Sequence, residues 1–194
     1  TYTSAIAAGG DQYTGTAETW NGSSWTNITD EPSGSNGYGS AGADTEDALF
    51  FGGTPVQGIT RYWNGSSWTV GGALSTARNN LTGAGATYTS ALAIGGSTGG
   101  TNRSANVEQY NGSSWTEITD LNTARTGLSG SGEATSALAY AGDTPPATGA
   151  TESWNGSSWT ETGDLNTARA YGMTGGGAGP DNESALMAGG SPET

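Results

Sequence analysis

The 194-residue chain carries 18 acidic residues against five Arg and no Lys, a net charge of −13, and it contains no His and no Cys. Those absences exclude disulfide scaffolds, thiolate metal centres, cysteine nucleophiles, Ser–His–Asp triads and lysine Schiff bases, and the acidity excludes a surface built to track phosphates. Leu, Ile, Val and Phe supply 19 residues while Gly, Ser and Thr supply 87, a balance near that of disordered chains, which seven Trp and eight Tyr oppose.

Taken along the chain, the first organised block is Ser4 to Gly10, Ser-Ala-Ile followed by two small residues and Gly-Gly. It returns from Asp47 to Gly53, Ser90 to Gly96, Ser136 to Gly142 (with Ala141 for the first Gly) and Ser184 to Gly190. The hexapeptide Asn-Gly-Ser-Ser-Trp-Thr begins at Asn21, Asn64, Asn111 and Asn155, at offsets of 43, 47 and 44 residues. That period belongs to propeller blades rather than to helical solenoids or leucine-rich repeats. An aromatic precedes each copy, giving the pairs Trp20/Trp25, Trp63/Trp68, Tyr110/Trp115 and Trp154/Trp159. Ten residues past the motif's Trp stands Arg78, Arg125 or Arg169, with Ser35 in that place after the first copy.

Each repeat is predicted to hold four short strands. In the last full copy these are Thr126 to Gly132, Ser136 to Tyr140, Ala150 to Trp154 and Trp159 to Thr162. Asn-Gly-Ser-Ser between the third and fourth is a tight-turn signal, since Asn and Gly tolerate a positive φ. It should set the flanking aromatics opposite one another. No stretch has helical periodicity beyond a turn or two. The fold class expected is therefore all-β: a β-propeller of four-stranded antiparallel blades, with units at about 1–34, 35–77, 78–124, 125–168 and a partial one at 169–194. Small residues suit the crowded axis and aromatics the space between blades.

This arrangement resembles kelch repeats, in which a strand ending in Gly-Gly is followed by an aromatic and then a Trp. The matching residues are Gly52-Gly53, Trp63 and Trp68, then Gly95-Gly96, Tyr110 and Trp115. The aromatic-to-Trp spacing of five is shorter than is typical of kelch. It is similar to the Trp-x-Gly-x-x-Trp hairpin of small fucose-binding propeller lectins, and the composition is similar to repeats of phage tail and virion-surface proteins. The count of strands does not close: five copies of the Gly-Gly strand stand against four of each other strand. A segment of a longer propeller, or several chains completing one ring, is expected rather than a compact ring with a strand to spare, because an unpaired Gly-Gly strand would expose an apolar edge prone to association. The start at Thr1 without Met is read as a mature, processed or excised segment.

The candidate ligand-binding residues lie on the face that the kelch-like arrangement would share between the Arg links and the variable loops: Arg78, Arg125 and Arg169, ringed by Tyr13, Asn102 and Arg103. Such Arg side chains could take a carboxylate or a glycan through their planar forks; alternatively each pairs with an acid such as Asp120, Asp164 or Glu152. Glu18, Glu108 and Glu152 stand two residues before the third-strand aromatic, with Arg61 in that place in the second repeat. The acids at Asp44-Glu46-Asp47 and Asp181-Glu183 lack the spacing of a Ca²⁺ loop, and eight Asn-x-Ser/Thr sequons are present. No pair of carboxylates breaks the repeat symmetry as a catalytic pair would.

The expectation is a non-catalytic structural and binding module of an extracellular appendage or virion surface. It needs no cofactor and no metal, and it contacts copies of itself or other structural proteins. The alternative is a glycan-binding adhesin. Neither nucleic acid nor membrane insertion is expected, since no apolar run approaches the ~20 residues that span a bilayer.

Overall fold

The structure is a computed structural model and describes residues 3–10, 14–171, 182–183 and 185–191. It is all-β, and the described residues hold 17 strands and no helix. The first sheet has three strands, β1 (Ala5–Ala8), β2 (Ala17–Trp20) and β3 (Trp25–Ile28). The second is a four-stranded antiparallel meander, β4 (Gly39–Asp44), β5 (Asp47–Phe51), β6 (Thr60–Trp63) and β7 (Trp68–Val70). The third runs β8 (Thr82–Thr87), β9 (Ser90–Ile94), β12 (Val107–Tyr110) and β13 (Trp115–Glu117), interrupted by a small hairpin of β10 (Ser97–Gly99) and β11 (Asn102–Arg103). The fourth is again a meander, β14 (Ser129–Glu133), β15 (Ser136–Tyr140), β16 (Thr151–Trp154) and β17 (Trp159–Glu161).

The hairpin between third and fourth strands forms as its sequence dictates. Trp20 pairs with Trp25, Trp63 with Trp68, Tyr110 with Trp115 and Trp154 with Trp159, with ring centroids 4.9–5.7 Å apart. Only the Gly of the turn takes a positive φ, between 88° and 94°. The Asn acts through its side chain instead. In the last copy Asn155 Oδ1 accepts from Ser157 N, Ser157 Oγ and Ser158 N, each at 3.0 Å, and the other three copies repeat this. The acceptor satisfies amides that a short turn leaves without backbone partners.

Successive sheets meet face to face. Leu49, Phe51, Leu81, Ala91, Ala93 and Trp115 fill the space between second and third sheets, and Leu92, Ile94, Val107, Leu128, Trp154 and Trp159 the space between third and fourth. In the second, third and fourth sheets the fourth-strand Trp also reaches back to the preceding unit: Trp68 Nε1 donates to Thr29 O at 2.7 Å, Trp115 Nε1 to Thr60 Oγ1 at 2.8 Å, and Trp159 Nε1 to Thr119 O at 3.1 Å. The first strands of the four-stranded sheets pack on one another, β4 on β8 and β8 on β14. The approach is close enough that a Cβ at Gly83 would run into the Ser40 carbonyl oxygen, which is why glycine sits there.

Backbone hydrogen bonds carry the chain from one unit to the next. Gly53 N donates to Arg78 O at 2.9 Å, Gly96 N to Arg125 O at 2.8 Å and Gly142 N to Arg169 O at 3.0 Å. A second series follows a few residues away: Asn80 N donates to Gly37 O, Gly127 N to Asn80 O and Tyr171 N to Gly127 O, at 2.8–2.9 Å. These four residues share φ values of 50–63°. The fifth Gly-Gly segment forms no strand among the described residues, but it bridges Ala170 to Ser191 and receives the Tyr140 hydroxyl at Leu186 O. The expected innermost strand that would follow Arg169 lies outside the described residues.

Tyr38, Tyr110 and Tyr140 are buried, and burial first of all raises the pKa of each; for Tyr38 the acceptor Glu31 adds to the rise. A raised folded-state pKa stabilises the fold below the unfolded value near 10 and loses that contribution as pH climbs through the folded value. Thermal melts should therefore fall away above about pH 10. No loss on the alkaline side would show that these hydroxyls ionise in place.

Candidate functional site

The sequence marks the repeated Arg, and the structure shows what each one does. Arg78 and Arg125 are 0% exposed. Arg125 Nη1 donates to Ala141 O at 3.2 Å and Ala150 O at 2.6 Å, and its Nη2 to Glu152 Oε1 at 2.8 Å. Arg78 repeats the pattern: Nη1 to Gly95 O at 2.7 Å and Asn106 O at 2.6 Å, Nη2 to Glu108 Oε1 at 2.9 Å. The carboxylates are held in turn by amides of the loop before each Arg, Ser75 N on Glu108 at 2.6 Å and Asn122 N on Glu152 at 2.7 Å. Burial presses both guanidinium pKa values down, and the facing Glu pushes back. Arg78 and Arg125, expected as candidate ligand-binding groups, are thus placed away from solvent, with protein atoms as their partners. Asp120 and Asp164 do not take the Arg but bond the Val107 and Thr151 amides, at 3.3 Å.

The second sheet reverses the pair. Arg61 occupies the Glu position and Ser35 the Arg position, and Glu31 supplies the carboxylate, with Arg61 Nε 2.6 Å from Glu31 Oε1. The geometry is poor for hydrogen bonding, and all three guanidinium nitrogens are buried without a hydrogen-bond acceptor. Desolvation lowers the Arg61 pKa, opposed first by Glu31. The ring of Tyr38 lies under the guanidinium, 5.2 Å from its centroid, a cation–π contact. Glu31 itself is well satisfied, by Ser33 N at 2.9 Å, Ser33 Oγ at 3.1 Å and Tyr38 Oη at 2.8 Å.

The remaining candidates separate. Arg169 is partly exposed and donates to the carbonyls of Thr167 and Gly189; among the described residues it has no ion pair. Tyr13 lies outside the described residues. Asn102 and Arg103 stand on the β10–β11 hairpin, which the sequence reading treats as loop. Arg103 ion-pairs with Asp143 of the next unit's variable loop, and its side chain is 20% exposed. It forms one wall of a cleft of about 140 Å³ with Asn79, Asn80, Thr101, Thr126 and Tyr171. Asn79 Oδ1 is buried beside it without a partner. Sequence reasoning missed Asn79 and Asn80 because Asn beside a turn carries no functional signature. In the acid cluster, Asp44 and Asp47 accept from the Glu46 and Tyr88 amides, and Asp181 lies outside the described residues.

No family model and no curated protein matches this chain. Among solved structures, that of YjhT is similar to 90% of the chain and spans 67% of its own length, with a TM-score of 0.70 at 13% identity. At that identity the likeness carries the all-β fold alone.

Removing Arg125 takes the counter-ion from buried Glu152, leaving it only the two Asn122 donors, and empties the cradle carbonyls of Ala141 and Ala150, whereas Arg61 makes no hydrogen bond to lose and Glu31 keeps three donors. Arg125→Met should cost about 3–5 kcal/mol and Arg61→Met under about 2 kcal/mol, measured by urea denaturation. Equal losses would mean that cradle quality does not set the stability of the sheets.

Proposed function

We propose that the four sheets are kelch-like blades of a propeller-type arc. In this reading the chain works as a non-catalytic structural and binding module of an extracellular appendage or virion surface, touching copies of itself or other structural proteins. The observation that carries this is the burial of the repeated charges: the strongest candidate ligand groups, Arg78 and Arg125, are spent inside the scaffold on Glu108 and Glu152. What remains outside is an acidic, lysine-free surface that suits solubility and repels anionic membranes and nucleic acid.

A second reading, glycan binding, is favoured by the cleft at Arg103. A planar cation, an unpartnered buried amide oxygen at Asn79 and the half-exposed ring of Tyr171 are groups that sugar hydroxyls and pyranose faces use. A glycan array separates the two. The structural reading expects no hit; a hit that disappears in Arg103→Ala, with the melting curve retained, would replace it with the adhesin reading.

A further inference from the structure

The first sheet carries the same cradle as the third and fourth, but without an arginine in it. In the third and fourth sheets the cradle frame is a backbone hydrogen bond, Gly95 N to Asn106 O and Ala141 N to Ala150 O, both at 3.0 Å, and the guanidinium lies on the carbonyls of those four residues. The corresponding bond in the first sheet, Gly9 N to Thr16 O, measures 2.9 Å, so the frame is built. Two residues on, Glu18 stands where Glu108 and Glu152 stand, and Asp30 where Asp120 and Asp164 stand. Gly9, Thr16, Glu18 and Asp30 line a cleft of about 340 Å³. Glu18 is exposed, and while its backbone pairs with β1 and β3, its side chain has no ion pair or hydrogen bond among the described residues.

The chain also presents the complementary group. Arg169 follows Thr-Ala as Arg78 and Arg125 do, holds the Gly189 carbonyl at 3.2 Å, and lacks a carboxylate among the described residues. Tyr171 and Leu186 beside it are 49% and 65% exposed.

We infer that the Glu18 cleft is a guanidinium-binding site and that its occupant is Arg169 of a second copy of this chain. Arg169 exchanges the Gly189 carbonyl for the equivalent Gly9 carbonyl, adds that of Thr16, and gains the Glu18 carboxylate in place of solvent. The planar fork matches this set as it does in the two filled cradles. The contact joins the first sheet of one copy to the link after the fourth sheet of another, a heterologous interface. This rests on the self-contacting part of the module proposed above and names its site.

Sedimentation equilibrium on the 194-residue chain tests it, with far-UV circular dichroism on each variant. Because Glu18 is exposed, Glu18→Gln should keep its fold while weakening self-association about 100-fold. Arg169→Glu should abolish association, Arg169→Lys should weaken it for want of the fork, and Glu133→Gln, the same charge change outside the cradle, should leave it unchanged. Self-association that survives both Glu18→Gln and Arg169→Glu overturns the cradle while the module reading stands. A wild-type monomer at every concentration overturns the cradle and the self-contacting reading together.

Discussion

The guanidinium seated on carbonyls and a carboxylate is the interaction on which the rest depends. A sheet of four strands, each of three to six residues, cannot hold its own loops in place by propensity. In the third and fourth sheets one arginine does this. It fastens the segment before the first strand to the end of the second strand, the start of the third and the Glu inside the third. Such a group is costly to bury, and the cost is offset here because carbonyl oxygens and the carboxylate meet its two Nη groups together, although the Nε of Arg125 has no acceptor. The second sheet departs from the design. Its Arg61 keeps the ion pair and an aromatic neighbour but no well-aligned acceptor.

The same arginines tie neighbouring units together through their backbone. The carbonyl of each accepts from the Gly-Gly segment of the preceding sheet, so one residue closes its own sheet with its side chain and docks on the sheet before with its main chain. Around this frame the aromatic pairs provide the packing that aliphatics provide elsewhere. The fourth-strand Trp adds an indole hydrogen bond across each interface. That explains how a chain so poor in Leu, Ile, Val and Phe assembles a core: each sheet needs only a thin apolar layer on its faces, and large rings fill it with few residues.

Much of this was legible from repetition alone. The strands, the turn and the facing aromatics follow from motifs whose physics is local, an Asx acceptor followed by a glycine of positive φ. The acid partner of Arg125 was among the alternatives that the spacing suggested. The accessibility of the arginines was not legible, because a cation in a link between strands reads as exposed until the neighbouring loops are placed over it. Nor was the β10–β11 hairpin, built on Ser-Thr-Gly-Gly-Thr-Asn-Arg without an alternating apolar pattern. The cleft at Arg103 escaped for a related reason: it draws on residues from four links far apart in sequence.

By itself, then, the sequence determined the all-β class, the repeat period, the hairpin and the chemistries that are ruled out by missing side chains. Each of these depends on residues within one repeat or on simple absence. Only the tertiary structure decided which charges are inside. Arg78, Arg125 and Arg169 stand in the same place in their repeats, yet the first two are sealed against Glu108 and Glu152 while the third reaches solvent. The difference is made by whatever packs around each guanidinium. That is a property of the assembled sheets and not of the repeat that each arginine belongs to.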